Sequence, residues 1–363
     1  MTPLKVVLVG AGSMGRAWRD TIEAAADVEL AAIADIRSEA ARSAADDLGR
    51  HVPTGTDAVA LAEATGATAI VNVTVPEAHH EIATAALFAG LHVLGEKPVA
   101  DTLAKALSLA AAAEVTGKLH MVSQSRRWNP QLAELRGMIA ELGVVGTLTT
   151  EFFRAPRFGG FREEMADPLL VDMAIHAFDS ARFLLGAEPV SVYCEAYNPP
   201  WSWFAGSAAA SAVFTMEGGT RYSYTGSWCS PGTQTSWNGV WRVSCEKGSA
   251  SWDGDAEPVL TADLPAAQRS RSPYLGIAGA LEVFAETLRR GTWSKGQSGE
   301  VHENVLSLAM VEAAVVSAGR GERVLIDDVL AAAHAAAVEA ERRPDVRAAL
   351  EAWPSPRAAL TAP

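Results

Sequence analysis

The sequence predicts an α/β protein of two domains, a doubly wound parallel sheet followed by an α+β domain with a large, mainly antiparallel sheet. At 363 residues the chain is too long for one compact core. Its first third alternates short apolar runs with longer alanine-rich runs, and its middle consists of β-rich segments separated by glycine and proline turns. The first pattern is typical of βαβ units, and the second is typical of hairpins.

The first domain is predicted over residues 1–123, where strand-like and helical runs alternate. The strand-like runs are 6–9, 29–34, 69–74, 92–94 and 120–123. The helical runs are one that ends at residue 25, then 38–48, 78–89 and 103–116. Continuous apolar strands separated by helices indicate a parallel sheet covered on both faces, because each crossover connection places a helix over the sheet.

The second domain is predicted over residues 124–330, followed by a helix and a frayed tail over 331–363. The predicted helices are 132–142, 169–185, 277–290 and 301–318. The predicted strands are 148–153, 191–196, 212–216, 221–227, 240–244 and 324–326. Turn sequences such as Asn-Pro-Pro and Ser-Pro-Gly separate the strands at hairpin spacing, which favours antiparallel pairing. The end of the chain has two prolines and no periodicity, so we expect it to fray.

Composition disfavours several classes of protein. A net charge of −13 makes a nucleic-acid partner unexpected. No uninterrupted apolar run reaches the roughly 18 residues of a membrane span, and the first residues lack the pattern of a signal peptide. Three scattered cysteines are too few for a disulfide framework or a zinc cage, so we expect free thiols in a reducing cytoplasm.

A glycine-rich turn follows the first strand directly. Gly10, Gly12 and Gly15 form a G-x-G-x-x-G pattern between that strand and a helix. In this pattern the first glycine permits the tight turn, the second lets a pyrophosphate approach the backbone, and the third lets helix and strand pack closely. The helix N-terminus offers free N–H groups to the phosphates. The sequence therefore predicts a Rossmann dinucleotide site.

Asp35 lies twenty residues after Gly15, at the end of the next strand. A carboxylate there accepts hydrogen bonds from the adenosine ribose hydroxyls and repels a 2′-phosphate. NAD is therefore expected as the cofactor. NADP stays possible because Arg37, two residues on, is placed to reach such a phosphate.

Two further clusters carry ionisable side chains. Glu96-Lys97-Pro98 stands at the carboxyl end of a predicted strand, where open α/β folds bind ligands, and a cis peptide before Pro98 would present the lysine at a set angle. Asp172, His176 and Asp179 recur at helical spacing on one face. A metal site is the competing interpretation of this second cluster, but no fourth ligand is near in the sequence, so no metal is expected.

These motifs, in this order, resemble the Gfo/Idh/MocA family of sugar and cyclitol dehydrogenases over roughly residues 4–330. The resemblance implies that Lys97, Asp172 and His176 are catalytic, and that Asp179 supports structure. The residues expected to contact the cofactor are Gly10, Gly12, Ser13, Met14, Gly15, Asp35, Arg37, Thr74, Pro76, His79, Glu96 and Lys97. The residues expected to contact substrate are Lys97, Arg126, Arg127, Trp128, Arg157, Asp172 and His176.

The chemistry of these side chains suits oxidation of a secondary ring hydroxyl of a sugar, glycoside or cyclitol. His176 is expected to be the general base, oriented by Asp172, because imidazole titrates near neutrality. Lys97 is expected to stabilise the reacting oxygen and is the rival base. Two alternatives remain open: a recycled NAD used for glycoside cleavage or epimerisation, and a non-catalytic NAD-bound sugar sensor.

The second domain is rich in tryptophan, with five between residues 201 and 241. Aromatic rings of this kind suit a sugar face, a sheet core or a subunit interface. A single sheet backed by helices leaves one face free, so we expect a homodimer or homotetramer built on that face.

Overall fold

The computed structural model describes residues 2–263 and 273–361 and divides the chain into two compact units. The first unit comprises Met1–Ser125, Tyr274–Val305 and Ala331–Pro363. The second comprises Arg126–Pro273 and Leu306–Leu330. The predicted boundary near residue 124 matches this division, but two segments placed in or after the second domain by the sequence belong to the first unit. Residue 1, residues 264–272 and residues 362–363, which fell within the predicted domains and tail, lie outside the described residues.

The first unit contains a six-stranded parallel sheet. Its strands are β1 Leu4–Val9, β2 Val28–Ala34, β3 Thr54–Gly55, β4 Ala69–Asn72, β5 His92–Glu96 and β6 His120–Ser123. Its helices between these strands are α1 Ser13–Ala24, α2 Ser38–Asp46, α3 Ala58–Thr65, α4 Pro76–Phe88 and α5 Leu103–Thr116. The strand order is β3-β2-β1-β4-β5-β6, so the order reverses between β1 and β4. Ligands of such sheets bind at the carboxyl ends of the strands at this switch point.

The sequence missed β3 and α3. A two-residue strand is too short to show periodicity, and α3 is alanine-rich with little amphipathic contrast. The one local signal was Asp57, whose side chain caps α3 by accepting hydrogen bonds from the N–H groups of Val59 and Ala60.

The second unit contains an eight-stranded sheet of order β13-β12-β11-β7-β10-β9-β8-β14. The strands are β7 Val145–Phe153, β8 Pro189–Tyr197, β9 Ala209–Met216, β10 Arg221–Ser227, β11 Val240–Cys245, β12 Gly248–Trp252, β13 Val259–Ala262 and β14 Val324–Leu325. All neighbours are antiparallel except β7 and β10, which are parallel. The mainly antiparallel sheet predicted from the turn spacing is therefore confirmed.

Helices cover one face of this sheet. The helices between its strands are α6 Pro130–Glu141, α7 Phe161–Glu164 and α8 Ile175–Leu185, and a π-helical turn, Leu169–Ala174, leads into α8. Phe178 of α8 packs edge-on against Phe214 and Tyr224, with ring centroids 4.8 and 5.4 Å apart. Trp241 stacks on Tyr222 in the same layer.

The tryptophans of the second unit divide between surface and core: Trp201 and Trp237 are exposed. Trp228, Trp241 and Trp252 are buried. The open face carries serine and threonine side chains and several exposed apolar ones, among them Val240 on β11, Leu325 on β14 and, on the neighbouring strands β8 and β9, Tyr193 and Val213. These two line a shallow groove of about 260 Å³ together with Glu195, Ser211, Ser223 and Thr225.

The last helices are α9 Gly276–Arg290, α10 Val301–Arg320, α11 Ile326–Ala340, α12 Pro344–Ala352 and α13 Pro356–Thr361. By length and composition α10 is long enough and apolar enough to cross a membrane, but 72% of its most apolar window is buried inside the protein, as in a core helix. The predicted fraying is wrong over the described residues, because α13 begins at Pro356 and buries Ala359 and Leu360, while α12 before it packs on α5. Prolines begin both final helices, a position that needs no N–H donor.

Glu114 of α5 joins this tail to the rest of the first unit. Its carboxylate accepts hydrogen bonds from Trp353 Nε1 at 3.0 Å, His302 Nε2 at 3.0 Å and Lys295 Nζ at 2.5 Å. Burial alone would raise the pKa of Glu114, but these three donors outweigh it and lower the pKa to about 2. His302 also contacts Glu300 through Nδ1, and its two carboxylate partners raise its pKa against the effect of burial.

Candidate functional site

The glycine turn lies between the end of β1 and the start of α1. Gly10 has φ +107°, and a Cβ there would lie 2.9 Å from the carbonyl oxygen of Val73 at the end of β4. A Cβ on Gly15 would lie 2.1 Å from the carbonyl oxygen of Gly10. A Cβ on Gly12 would meet no described atom within 4 Å. Two glycines are therefore required by the fold itself, whereas Gly12 is required only if something else approaches the backbone.

Asp35 connects the end of β2 to this turn. Its Oδ2 accepts a hydrogen bond from the N–H of Ala11 at 2.8 Å, and its Oδ1 accepts one from the N–H of Arg37 at 2.9 Å. The Arg37 side chain is 73% exposed, and its Nε lies 3.7 Å from Asp35 Oδ1. The carboxylate is thus oriented by backbone donors before any ligand binds, and Arg37 faces solvent beside it.

The ends of β4 and β5 meet through His79. Its Nδ1 lies 2.7 Å from the carbonyl oxygen of Pro98, and its Nε2 lies 3.2 Å from that of Thr74. The hydroxyl of Thr74 donates to Asn72 Oδ1 at 2.8 Å, and Pro76 begins α4. His79 is buried, which lowers its pKa despite the two carbonyl partners. A neutral imidazole has one N–H and donates to one of these two carbonyls, so His79 connects the two loops, and its contact with the cofactor stays a prediction.

Glu96 is fixed in a similar way. Its Oε1 accepts a hydrogen bond from Trp18 Nε1 of α1 at 2.8 Å, and its Oε2 accepts one from the backbone N–H of Lys97 at 3.1 Å. Burial raises the pKa of Glu96. The peptide between Lys97 and Pro98 is cis, as expected. Glu96 therefore anchors the lysine's backbone to α1 and is not placed as a cofactor ligand, and Trp18 is a positioning residue that the sequence did not reveal.

The first unit fits a dinucleotide on structural grounds. Gly10 and Gly15 let backbone lie where any side chain would clash, and α1 begins beside them with Ser13 and Met14 exposed. The first N–H groups of a helix have no partner within it and attract phosphate oxygens. No side chain caps these groups in α1. The turn therefore presents N–H donors, the positive end of a helix and an oriented carboxylate together.

In the second unit, Asp172 and His176 lie where a π-helical turn passes into α8. Asp172 is in the turn Leu169–Ala174, and His176 is in the first turn of α8. Asp172 Oδ2 accepts a hydrogen bond from Arg162 Nε at 2.6 Å. Both Asp172 and His176 are half-buried. The sequence predicted one regular helix here. The π turn has a wider repeat than an α-helix, and π turns of this kind occur frequently at functional sites.

Asp179 is buried, as its expected structural role requires, and its partner corrects the assignment of Arg127. The Arg127 guanidinium donates two hydrogen bonds to the Asp179 carboxylate, at 2.6 and 2.7 Å, and both side chains are buried. Ser307 also donates to Asp179 Oδ1 at 2.6 Å. A buried bidentate pair of this kind is structural, because removing either partner leaves a buried charge. Arg127 therefore braces α8 and is not placed to contact substrate.

The other expected substrate residues differ in their surroundings. Arg126 reaches Met173 of the π turn, with Nη2 at 3.9 Å from the sulfur. Arg157 is exposed and lies over the Trp203 ring at 4.0 Å. Trp128 is half-buried, and Asn129, which follows it, caps α6 by accepting hydrogen bonds from two backbone N–H groups. Among the described residues, no group of three metal-ligating side chains is present.

Two family models match the chain. The Gfo/Idh/MocA model described as an oxidoreductase family with an NAD-binding Rossmann fold matches residues 4–124. The model described as the GFO/IDH/MocA C-terminal domain matches residues 132–251. The first match spans the strands of the parallel sheet, and the second spans strands β7 to β11 of the mainly antiparallel sheet.

Individual proteins are similar over different lengths. The chain is 28% identical to a D-apiose dehydrogenase from Paraburkholderia graminis over 91% of this chain and 92% of that protein. It is 33% identical to an inositol 2-dehydrogenase from Rhizobium meliloti, but over only 51% of this chain and 56% of that protein. In fold it resembles the crystal structure of an oxidoreductase from Agrobacterium radiobacter in complex with NAD+, L-tartaric acid and magnesium. The TM-score is 0.79 at 20% identity, covering 91% of this chain and 100% of that one.

Proposed function

Because the chain belongs to the Gfo/Idh/MocA oxidoreductase family and carries its NAD-binding Rossmann domain, we propose that it oxidises a secondary ring hydroxyl of a sugar, glycoside or cyclitol. The similarity to a D-apiose dehydrogenase and an inositol 2-dehydrogenase supports this substrate class. The observation that carries the proposal is a half-buried histidine, His176, that follows an anchored carboxylate, Asp172, in the domain that the family pairs with its Rossmann domain.

The first unit would hold the cofactor at its glycine turn. The backbone of residues 10–15 would receive the pyrophosphate, and Asp35 would receive the adenosine ribose hydroxyls. We propose NAD in preference to NADP because the Asp35 carboxylate is already oriented by two N–H donors and would repel a 2′-phosphate. Bound NAD+ supplies the hydride acceptor.

The side chains of the chain itself handle the proton and the oxygen. We assign His176 as the base that takes the hydroxyl proton, because a neutral imidazole accepts a proton near neutral pH. Asp172 orients the imidazole and favours its protonated form, and Arg162 fixes Asp172. Lys97, whose backbone N–H is fixed by Glu96, donates a hydrogen bond to the reacting oxygen as negative charge develops there. The three free cysteines, two of them buried, are consistent with a cytoplasmic enzyme.

A screen for NADH formation tests the proposal. The purified protein is incubated with NAD+ and a panel of sugars, glycosides and inositols, and NADH is followed by its absorbance. Net NADH formation with at least one ring alcohol is the expected result. Turnover of a glycoside or an epimer without net NADH would replace the proposal with a recycled cofactor, and no turnover of any kind would favour a sensor.

A further inference from the structure

Arg126 differs from Arg127 and Arg162, which also lie near the π turn, because no carboxylate of the described residues balances its charge. Arg127 pairs with Asp179, and Arg162 pairs with Asp172. Within residues 2–263 and 273–361, the polar contact of Arg126 is the sulfur of Met173, a weak acceptor at 3.9 Å. Arg162 and Arg126 thus contact adjacent residues of the π turn, Asp172 and Met173. Of these two contacts, the one made by Arg162 is to a carboxylate.

The depth of this arginine makes the imbalance significant. Arg126 is half-buried, and burial lowers the pKa of its guanidinium to about 10, with Tyr224 as the neighbouring titratable group. Arginine is otherwise protonated under all ordinary conditions. A buried cation without a counter-ion is costly, so proteins normally retain one only where an anion binds.

A second polar group next to this cation also lacks an acceptor. The Tyr224 hydroxyl is buried and has no hydrogen-bond partner among the residues that the structure describes. Gly226, two residues on, leaves space for it, since a Cβ there would lie 2.4 Å from the Tyr224 oxygen. A guanidinium and a phenol are both donors, and one carboxylate accepts hydrogen bonds from both.

We propose that Arg126 binds a carboxylate of the substrate, so that the preferred substrates are acidic sugars such as hexuronates or aldonates. This inference rests on the proposed dehydrogenase function and specifies its substrate class. A single buried cation is balanced by a monoanion, which favours a carboxylate over the dianionic phosphate of a sugar phosphate. The oxidation is the same as for a neutral sugar: one C–H hydride goes to NAD+, the hydroxyl proton goes to the base, and a carbonyl forms.

Matched pairs of substrates test the inference. D-galacturonate and D-glucuronate are compared with D-galactose and D-glucose, with glucose 6-phosphate as the phosphate arm. We expect kcat/KM for a hexuronate to exceed that for its neutral sugar by about tenfold to a hundredfold, the range for a hydrogen bond to a charged group. Equal values, or a preference for the phosphate ester, would overturn the carboxylate assignment.

Two variants locate the effect. Arg126→Gln should reduce the ratio of hexuronate to neutral-sugar kcat/KM to near one, whereas Arg242→Gln, which removes the same charge from the exposed face of β11, should leave the ratio intact. NAD titration of Arg126→Gln, compared with wild type, checks that the variant is folded. An unchanged ratio in folded Arg126→Gln would refute the inference.

Calorimetric binding separates this inference from the proposed function. If hexuronates bind in preference to neutral sugars but no NADH forms, anion recognition by Arg126 stands and the dehydrogenase proposal fails. If neutral sugars are oxidised as well as hexuronates, the dehydrogenase proposal stands and the anion inference fails. If neither class of sugar binds or reacts, both fail.

Discussion

His176 and Lys97 are the two side chains whose proposed roles can be exchanged, because either a neutral imidazole or a deprotonated amine can accept the hydroxyl proton. Their surroundings differ. His176 follows a carboxylate held by Arg162, whereas Lys97 follows a glutamate whose pKa is raised by burial. Only a base that titrates near neutrality produces a neutral ionisation in the rate of oxidation.

Replacement of His176 by glutamine is therefore expected to slow oxidation by about 10² to 10⁴ and to remove the neutral ionisation from the pH profile of kcat/KM. In wild type the rate should rise with pH through that ionisation and then level off. Lys97→Ala should lower kcat/KM by about 10² or more with nearly unchanged NAD affinity. A neutral ionisation that persists in His176→Gln, with only a few-fold loss of rate, would make Lys97 the base.

At this scale the sequence predicts positions better than roles. Gly10, Gly15 and the cis bond before Pro98 depend on neighbours along the chain, and each is found as expected. Arg127 was interpreted as a substrate contact because its partner is distant in sequence: Asp179 is 52 residues away. A pattern of residue types does not show which polar groups have already found partners.

The glycine turn is the element on which cofactor binding depends, and its three glycines can be tested separately. Gly15→Ala places a Cβ 2.1 Å from the Gly10 carbonyl oxygen, so we expect a loss of about 1–3 kcal/mol in stability and a lower Tm. Gly12→Ala meets no described atom within 4 Å and has ordinary backbone angles, so its Tm should equal that of wild type.

The same Gly12→Ala variant should nevertheless bind NAD more weakly, because the added methyl lies where the pyrophosphate approaches the backbone. Calorimetry on the two variants and wild type measures both quantities. Wild-type NAD affinity in Gly12→Ala would show that the cofactor does not approach this turn.

The tail formed by α12 and α13 is joined to α5 by a partly buried electrostatic network at Glu114. Its folded-state pKa of about 2 lies below the usual 4.5, so its contribution to stability is present above pH 4.5 and is lost as the pH falls toward 2. His302 is protonated in both states over that range and adds no slope there.

We therefore expect Glu114→Gln to be less stable than wild type at neutral pH, and the difference in Tm to shrink as the pH falls from about 4.5 to 2. Thermal unfolding at a series of pH values measures this, with Glu39→Gln on the exposed side of α2 as the control. A difference in Tm that stays constant over this range would contradict the role of the Glu114 charge.

The elements missed by the sequence share a physical cause. β3 is two residues long, the π turn has the same composition as an α-helix, and the tail helices are short and begin with proline. Their stability comes from packing against distant segments, as when α12 packs on α5 and buries Leu350, and a local pattern carries little of that information.

For the whole molecule, assembly remains a prediction. The open face of the eight-stranded sheet offers Tyr193 and Val213 beside serine and threonine side chains, and one sheet face without covering helices is a natural surface for a symmetric partner. Light scattering is expected to give the mass of a dimer or a tetramer of the 38.1 kDa chain.

Val213→Arg places a charge in the centre of that face and should shift the mass toward the monomer, whereas Glu39→Gln on the exposed side of α2, outside this sheet, serves as the surface control. A mass of 38.1 kDa for wild type at micromolar concentration would exclude the predicted oligomer.

The transfer of deuterium from a sugar to nicotinamide tests the proposed dehydrogenase activity most directly. The protein is incubated with NAD+ and a uniformly deuterated sugar found active in the screen, and both products are analysed by mass spectrometry. We expect one deuterium on the reduced nicotinamide for each sugar molecule that has lost one carbon-bound deuterium and one hydroxyl proton, with the rate reduced in His176→Gln. Oxidised sugar without labelled NADH, or return of the label to a sugar product with no net NADH, would contradict it.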